Sequence, residues 1–295
     1  MRDSPGFTPV FPVVLPGHRS SVVRTTYART VTAARPHQDR PRILLLAGSS
    51  EASELAARLA AEPALAVTSS FAGRVKALSL PPGDVRVGGF GGPEGLARWI
   101  TENRIAAVID ATHPFTANMP HHVVLACRST NVPHLRVLRP EWVPAPGDRW
   151  TVVPDLDAAA AALRQKGARR VFLTTGRQEL APFAHADPET WFLVRSIEMP
   201  EPMPLGHAEV LLSRGPFTVA DERALMQHHG IDTLVTKNSG GSAAAAKLEA
   251  ARALGVDVVI IARPSAEGIS VGTTDEALAW CQGVAGLSPS SDVPG

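Results

Sequence analysis

The feature that most constrains the fold of this chain is a regular alternation of short apolar runs with amphipathic segments from Arg42 onward. β-Branched runs of this kind predict buried parallel strands, and the segments between them predict helices. Predicted strands are 43–46, 64–70, 85–87, 105–109, 134–137, 151–153, 171–174, 191–195, 210–212, 233–235 and 257–261, and predicted helices are 52–61, 94–101, 116–129, 156–165, 220–229 and 242–253. Such alternation is typical of a doubly wound α/β fold.

A proline-rich stretch, Pro140 to Pro146, divides the alternating pattern into two halves of similar size. We therefore expect an α/β protein with two Rossmann-like doubly wound domains, each with a parallel sheet, and an interdomain cleft. The expected boundaries are 41–140 for the N-terminal domain and 141–283 for the C-terminal domain.

The segments outside these domains have a different character. Residues 1–40 contain five prolines, six arginines and only two acidic residues, so a disordered extension is expected there. No apolar core of a secretory signal follows the start, and the prolines argue against an amphipathic transit helix. A disordered tail is expected over 284–295.

Composition excludes several classes of function. The formal net charge is +1, which gives no bulk attraction to nucleic acid or to an anionic membrane. No apolar run approaches the roughly 20 residues that a membrane span requires. Cys127 and Cys281 are too few for a disulfide framework and lack metal-ligand spacing, so no metal site is predicted. These observations favour a soluble, cytoplasmic protein.

Polar residues follow five of the predicted strands, where ligands bind in open α/β sheets. Each ending contains small residues that permit close backbone approach, and most carry a hydroxyl or a cationic group suited to anions. One such ending is ordinary turn chemistry, whereas five indicate a binding site unless they lie on different faces of the molecule. The endings are 47–51, 71–74, 110–113, 174–177 and 236–241.

The ending after strand 105–109 carries the greatest variety of chemical groups. Asp110, Thr112 and His113 supply an acceptor, a hydroxyl and an imidazole, and Pro114 stiffens the turn that follows. Asp110 or Thr112 would serve equally well as a cap of the next helix. From this stretch alone, helix capping and ligand contact are equally supported.

The first two strand endings favour a phosphate-bearing ligand. Gly48 is the only glycine where the full dinucleotide motif needs three, yet Ser49 and Ser50 offer hydroxyls and amides at a helix start. Past the second strand, Arg74 accompanies Ser69 and Ser70 with no carboxylate nearby. This set favours NADP over NAD if a dinucleotide binds, and a solvated surface arginine is the alternative.

The ordered set of motifs resembles the precorrin-6A reductase family of cobalamin biosynthesis, including its cobalt-precorrin counterpart. The resemblance covers roughly Arg42 to Gln282, and it departs from the family pattern at Ala47 and Ser49. No single motif is diagnostic. The motifs are Ala47-Gly-Ser-Ser-Glu51, Phe71-Ala-Gly-Arg74, Gly88-Gly-Phe-Gly-Gly92, Asp110-Ala-Thr-His-Pro-Phe115, Thr175-Gly-Arg177 and Thr236-Lys-Asn-Ser-Gly-Gly241.

The resemblance implies NADPH-dependent reduction of one double bond in the corrinoid precursor precorrin-6A to give precorrin-6B. It implies that 41–140 binds NADPH and 141–283 binds the tetrapyrrole, which is precorrin-6A or its cobalt form. Hand-over to other enzymes of the corrin pathway is a further expectation, with no nucleic-acid or membrane partner. The alternatives are a non-enzymatic NADP(H) sensor and an NADP-dependent reductase acting on another substrate.

The resemblance also assigns roles to individual residues. A tetrapyrrole that carries many carboxylates calls for cations and amides in the facing lobe. The predicted cofactor-binding residues are Gly48, Ser49, Ser50, Ser70, Arg74, Ala111 and Thr112; the predicted substrate-binding residues are Arg139, Arg177, Arg195, Asn238, Ser239, Gly240 and Gly241, the last four at an anion-binding helix start.

Lys237, His113 and Asp110 are the predicted catalytic residues. Lys237 would bind a carboxylate, bind a cofactor phosphate or assist protonation, and the alternative is a surface lysine at the sheet edge. His113 is a candidate proton donor because imidazole titrates near neutral pH. It would equally be a hydrogen-bonded structural histidine, with solvent delivering the proton.

Overall fold

The computed structural model describes residues 40–71, 73, 81–265 and 268–286. Residues 1–39 of the predicted extension (1–40) and residues 287–295 of the predicted tail (284–295) lie outside them. The strands are β1 (Arg42–Ala47), β2 (Ala66–Phe71), β3 (Asp84–Val87), β4 (Ile105–Ala111), β5 (His134–Val137), β6 (Trp150–Val153), β7 (Arg170–Leu173), β8 (Trp191–Ser196), β9 (Ala208–Leu212), β10 (Thr233–Lys237), β11 (Asp257–Ile261) and β12 (Ser270–Val271).

Helices separate most of these strands. They are α1 (Ser50–Ala61), α2 (Gly92–Glu102), α3 (Met119–Thr130), α4 (Leu156–Lys166), α5 (Val219–His228), α6 (Ala246–Leu254) and α7 (Thr274–Val284), with 3₁₀ turns at Ala181–His185 and Ser242–Ala244. Among the described residues, no helix is both long enough and apolar enough to cross a bilayer.

The strands form two six-stranded parallel sheets, which confirms the predicted fold class. The first sheet has the order β12-β5-β4-β1-β2-β3 and the second has the order β6-β11-β10-β7-β8-β9. Helices cover both faces of a parallel sheet, so its strands are apolar on both sides.

Strand β1 shows how the sequence produces these layers. Ile43 and Leu45 pack into one core, against residues of α1 and α7, and Leu44 and Leu46 pack into another, against α2 and α3. All four side chains are buried. Each contributes about 1.5–3 kcal/mol of burial energy, which fixes this run at the centre of the first sheet.

The last elements of the described chain return to the first sheet, which differs from the prediction that the C-terminal domain extends to residue 283. Strand β12 pairs with β5, and Ala277 and Cys281 of α7 are buried against the first sheet. The sequence-based division gave both elements to the C-terminal domain because it followed chain order. The apolar face of α7 instead covers the first core.

Each sheet reverses its strand order at one point. In the first sheet the chain runs outward from β1 to β3 and then returns to place β4 on the other side of β1. In the second sheet β10 returns to lie beside β7 in the same way. Crevices for ligands form at the carboxyl ends of strands at such reversals. The loops after β1, β4, β7 and β10 contain four of the five predicted polar endings.

Candidate functional site

A cavity of about 520 Å³ lies at the carboxyl ends of the second sheet and reaches the loop after β4. From the first sheet it includes His113. The remaining wall comes mainly from strand ends and loops of the second sheet and contains many charged and hydroxyl side chains. The lining residues include Thr174, Thr175, Arg177, Arg195, Ser196, Ile197, Glu198, Arg214, Phe217, Lys237, Ser239 and Lys247.

His113 is held in a neutral state at this cavity. Its Nδ1 accepts a hydrogen bond from the Phe115 amide at 3.2 Å. Burial, together with the positive charges of Lys237 and Arg139, lowers the pKa of His113 to about 4. A neutral imidazole is a weak acid, so this geometry argues against His113 as the proton donor near neutral pH.

Asp110 lies inside the protein rather than in the cavity wall. Its side chain is 2% exposed, and its Oδ1 accepts hydrogen bonds from the Thr112 amide and hydroxyl at 3.0 and 2.6 Å. Its Oδ2 lies 3.7 Å from Nε of Arg136, the residue opposite it on β5. Strand β4 continues to Ala111, two residues beyond the predicted end, and carries Asp110 into the sheet. These contacts give Asp110 a structural role.

Ala111 and Thr112, which were predicted to bind the cofactor, are buried like Asp110. Ser49 donates a 2.9 Å hydrogen bond to the Ala111 carbonyl, and its hydroxyl also accepts from the Ala52 amide as the N-cap of α1. The single hydroxyl proton of Ser49 is therefore used within the protein, and the hydroxyl joins the loop after β1 to the end of β4.

Gly48 brings the same two loops close together. A Cβ at this position would lie 3.3 Å from Thr112 Cα and 3.4 Å from the His113 amide nitrogen. A side chain here would press against the end of β4 and fill the crevice between the two loops. The missing side chain therefore leaves backbone amides at the start of α1 open to a ligand.

The start of α1 is tied to the segment after β5. Arg139 Nη1 donates to Glu51 Oε2 at 2.7 Å and lies 3.5 Å from Ser50 Oγ. Burial raises the pKa of Glu51, but the hydrogen bond from its own amide and the charge of Arg139 outweigh burial, so the net pKa is below its ordinary value. Glu51 is an anion at neutral pH, and it holds Arg139 beside the predicted phosphate loop.

At the end of β2, Ser70 is buried and accepts a 3.3 Å hydrogen bond from Arg86 of β3. The Arg86 guanidinium also stacks 3.7 Å from the centre of the Phe90 ring. Arg74, predicted to bind the 2′-phosphate, lies outside the described residues. Arg86 is thus a cation at this sheet edge that the sequence-based prediction missed, because it lies within a strand rather than in a loop.

Lys237 ends β10 and faces the cavity. Its Nζ donates to Glu179 Oε2 at 2.7 Å and lies 5.3 Å from the centre of the Phe115 ring, on the loop after β4. Lys237 is therefore ion-paired at the junction of the two sheets, and its charge contributes to the low pKa of His113.

The two predicted cavity arginines differ in their freedom. Arg195 is 11% exposed and forms a bidentate pair with Glu222, with hydrogen bonds of 2.5 and 3.2 Å. Its guanidinium lies 4.0 Å from the Phe217 ring centre. Arg177 is 43% exposed and pairs with Glu198 at 2.9 Å. Arg177 can change partner at low cost, whereas Arg195 is fixed.

The loop 238–241 packs on the chain segment after β5 rather than starting a helix. Asn238 Oδ1 accepts from the Trp142 amide, and Arg139 Nε donates to the Ser239 carbonyl. A Cβ on Gly240 would lie 2.1 Å from the Pro140 carbonyl oxygen, so this approach requires glycine. The predicted helix from 242 begins at Ala246, after a 3₁₀ turn. The predicted position of the helix start is therefore wrong. Anion binding by this loop stays a prediction, and Ser239 lines the cavity.

Lys247 is a cavity residue that the sequence-based prediction missed. It occupies the first turn of α6 and is 9% exposed. Buried polar atoms without a hydrogen-bond partner among the described residues lie nearby in the wall, at Thr175 Oγ1 and Arg195 Nε. A buried lysine near an alanine-rich run has no sequence pattern that separates it from a surface lysine.

Two parallel sheets with facing reversal points and a cationic cavity beside them define a class of two-lobed Rossmann-like α/β proteins. The chain belongs to the precorrin-6x reductase family, described as CbiJ/CobK, whose model matches residues 42–282. It is therefore an oxidoreductase of cobalamin biosynthesis, as the sequence resemblance predicted.

Individual relatives agree with this membership. The chain is 49% identical to precorrin-6A reductase of Rhodococcus erythropolis over 223 residues, covering 76% of this chain and 89% of that protein. It is 31% identical to cobalt-precorrin-6A reductase of Priestia megaterium over 245 residues, covering 79% and 95%. The solved structure of CobK precorrin-6A reductase matches with a TM-score of 0.77 at 40% identity, covering 84% and 99%.

Proposed function

We propose that this chain uses NADPH to reduce one double bond of precorrin-6A, giving precorrin-6B. The observation that carries the proposal is the meeting of the two sheets at one cavity, with cations of the second sheet facing the loop after β4 of the first. The names of the relatives supply the reaction, and the structure supplies residues suited to both reactants.

The first sheet has the features that a dinucleotide needs. The crevice at Gly48 admits a pyrophosphate to the amides at the start of α1, where the helix dipole favours an anion. Arg139 would release the Glu51 carboxylate and bind the cofactor phosphates in its place. Ser70 and Arg86 would hold a 2′-phosphate at the ends of β2 and β3, a role predicted for Arg74 as well. Bound NADPH would supply a hydride from its nicotinamide ring.

The second sheet has the features that a polycarboxylate needs. Arg177, Arg195, Arg214 and Lys237 line the cavity with guanidinium and ammonium groups. The fixed Arg195 would orient one substrate carboxylate, and Arg177 and Lys237 would exchange their glutamates for others. Ile197 is 61% exposed beside these groups and would cover an apolar face of the macrocycle.

The cobalt-free substrate is the better match. Identity is 49% to the Rhodococcus protein named for precorrin-6A and 31% to the Priestia protein named for cobalt-precorrin-6A. We therefore propose precorrin-6A as the substrate and the cobalt form as the alternative.

The test mixes the purified full chain with enzymatically generated precorrin-6A and NADPH, and follows NADPH absorbance together with the pigment spectrum. Equimolar loss of NADPH and pigment supports the proposal. A parallel reaction with NADH measures the contribution of the 2′-phosphate. Binding of NADPH without turnover of precorrin-6A or its cobalt form would overturn the reductase assignment and favour a nucleotide sensor.

A further inference from the structure

One step of the reduction, the protonation that accompanies hydride transfer, has no residue assigned to it so far. Adding hydride to one carbon of a double bond pushes the electron pair onto the neighbouring atom, which then requires a proton. Of the residues predicted to be catalytic, Asp110 is buried away from the cavity, His113 is neutral and Lys237 is already paired with Glu179.

Lys247 is placed differently from these three. It lines the same cavity as His113, which links the cavity to the lobe proposed to bind NADPH. Its Nζ lies 5.1 Å from the centre of the Trp142 ring, which forms one side of its surroundings. Among the described residues, no carboxylate is within salt-bridge distance of this ammonium. The carboxylate whose charge acts on Lys247, Glu222, is held by Arg195 in a bidentate pair.

We propose that Lys247 is the proton donor of the reduction, acting from the cavity wall on the atom next to the one that receives hydride. This proposal rests on the proposed function. The hydride of NADPH forms one new C–H bond, and the π electron pair forms the second bond with a proton from Nζ. NADPH leaves as NADP⁺, and the neutral amine of Lys247 regains its proton from solvent.

The electrostatic surroundings suit a proton donor. A lysine in the first turn of a helix has the wrong charge for the helix dipole, which lowers its proton affinity. Burial lowers the pKa of Lys247 to about 8, with the charges of Arg195 and Arg139 acting in the same direction and Glu222 opposing them. From β10, Lys237 also faces the cavity. An acid whose pKa is close to the working pH transfers a proton efficiently in both directions of its cycle.

Replacement of Lys247 by methionine is the main test, because methionine fills a similar buried volume without a charge. We expect K247M to lower kcat about 100-fold or more, with less than about a threefold change in KM for precorrin-6A. The matched control is K166M, which removes a lysine that pairs with Asp257 at the end of α4. Equilibrium binding of NADPH and of precorrin-6A to K247M, measured separately, should equal that of the wild type.

Three further measurements distinguish proton donation by Lys247 from an effect of its positive charge alone. K247R keeps the positive charge but cannot release a proton at working pH, so it should be as slow as K247M. Added primary amines should restore turnover to K247A, more strongly for amines of lower pKa. The wild-type rate should fall as pH rises through about 8, because the ammonium form is the active one, and K247M should lack this decline.

Several results would overturn the assignment. Turnover by K247M within about threefold of the wild type would remove Lys247 from the chemistry. Full activity of K247R, or a loss confined to precorrin-6A binding, would make Lys247 a carboxylate ligand instead. If K247M does not fold, K247Q and the amine rescue of K247A decide by the same criteria. An inactive wild-type protein would defeat the proposed function first, and this assignment with it.

Discussion

Asp110 on β4 and Arg136 on β5 are register partners, and their charged groups lie 3.7 Å apart in the interior of the first sheet. The side chains are 2% and 7% exposed. Removing one partner of a buried ion pair leaves the other charge buried and uncompensated, which destabilises the folded state. The pair therefore joins β5 to β4, the strand from which the loop carrying His113 extends.

We predict that D110N lowers the free energy of unfolding by about 3 kcal/mol, since Arg136 would lose its counter-ion. The asparagine oxygen can still accept from Thr112, so the turn itself should survive. Urea unfolding measures the loss, and the double variant D110N/R136M should recover most of it because no buried charge remains. A catalytic Asp110, as the sequence predicted, would instead give a stable D110N protein with a low kcat.

The pair also illustrates what the sequence could not provide. The order of strands and helices follows from local apolar patterns, and the polar strand endings follow from chain order. The partner of Asp110 depends on which strand lies beside β4, and the sequence does not state this. Lys247 was missed for a related reason, because its burial arises from packing of α6 beside Trp142 and the cavity. The packing of α7 against the first sheet likewise depends on tertiary contacts that chain order does not reveal.

A second prediction concerns Glu51, whose carboxylate lies beside the proposed phosphate site and holds Arg139. E51Q removes a negative charge there and frees Arg139, so we expect the Kd for NADPH to fall by about 3–10-fold. Titration calorimetry measures the affinity, and E62Q at the other end of α1 is the control. Weaker NADPH binding by E51Q would show that Glu51 supports the site rather than opposing it.

A third prediction follows from the low pKa of His113. Its folded-state pKa is about 4, below the unfolded value of 6.5, so the unfolded chain takes up a proton first as the pH falls. Stability is therefore lost between about pH 6.5 and pH 4, with His113 costing on the order of 2 kcal/mol by about pH 5. Urea unfolding at both ends of this range should show a smaller loss for H113N. The control H185N, at an exposed position, should behave as the wild type, and an equal loss in H113N would contradict the assignment.

The last prediction separates the roles open to Lys237. Its ammonium donates to Glu179 at 2.7 Å at the cavity wall, so a substrate carboxylate must compete with Glu179 for it. E179Q should weaken this competition and lower the KM for precorrin-6A by about threefold, whereas K237M should raise it about tenfold, both with little change in kcat. The control E189Q affects a glutamate paired with Arg169 at an exposed site. Steady-state kinetics decides between the roles. A fall in kcat for K237M with KM unchanged would contradict carboxylate binding and return Lys237 to the chemical step, in place of Lys247.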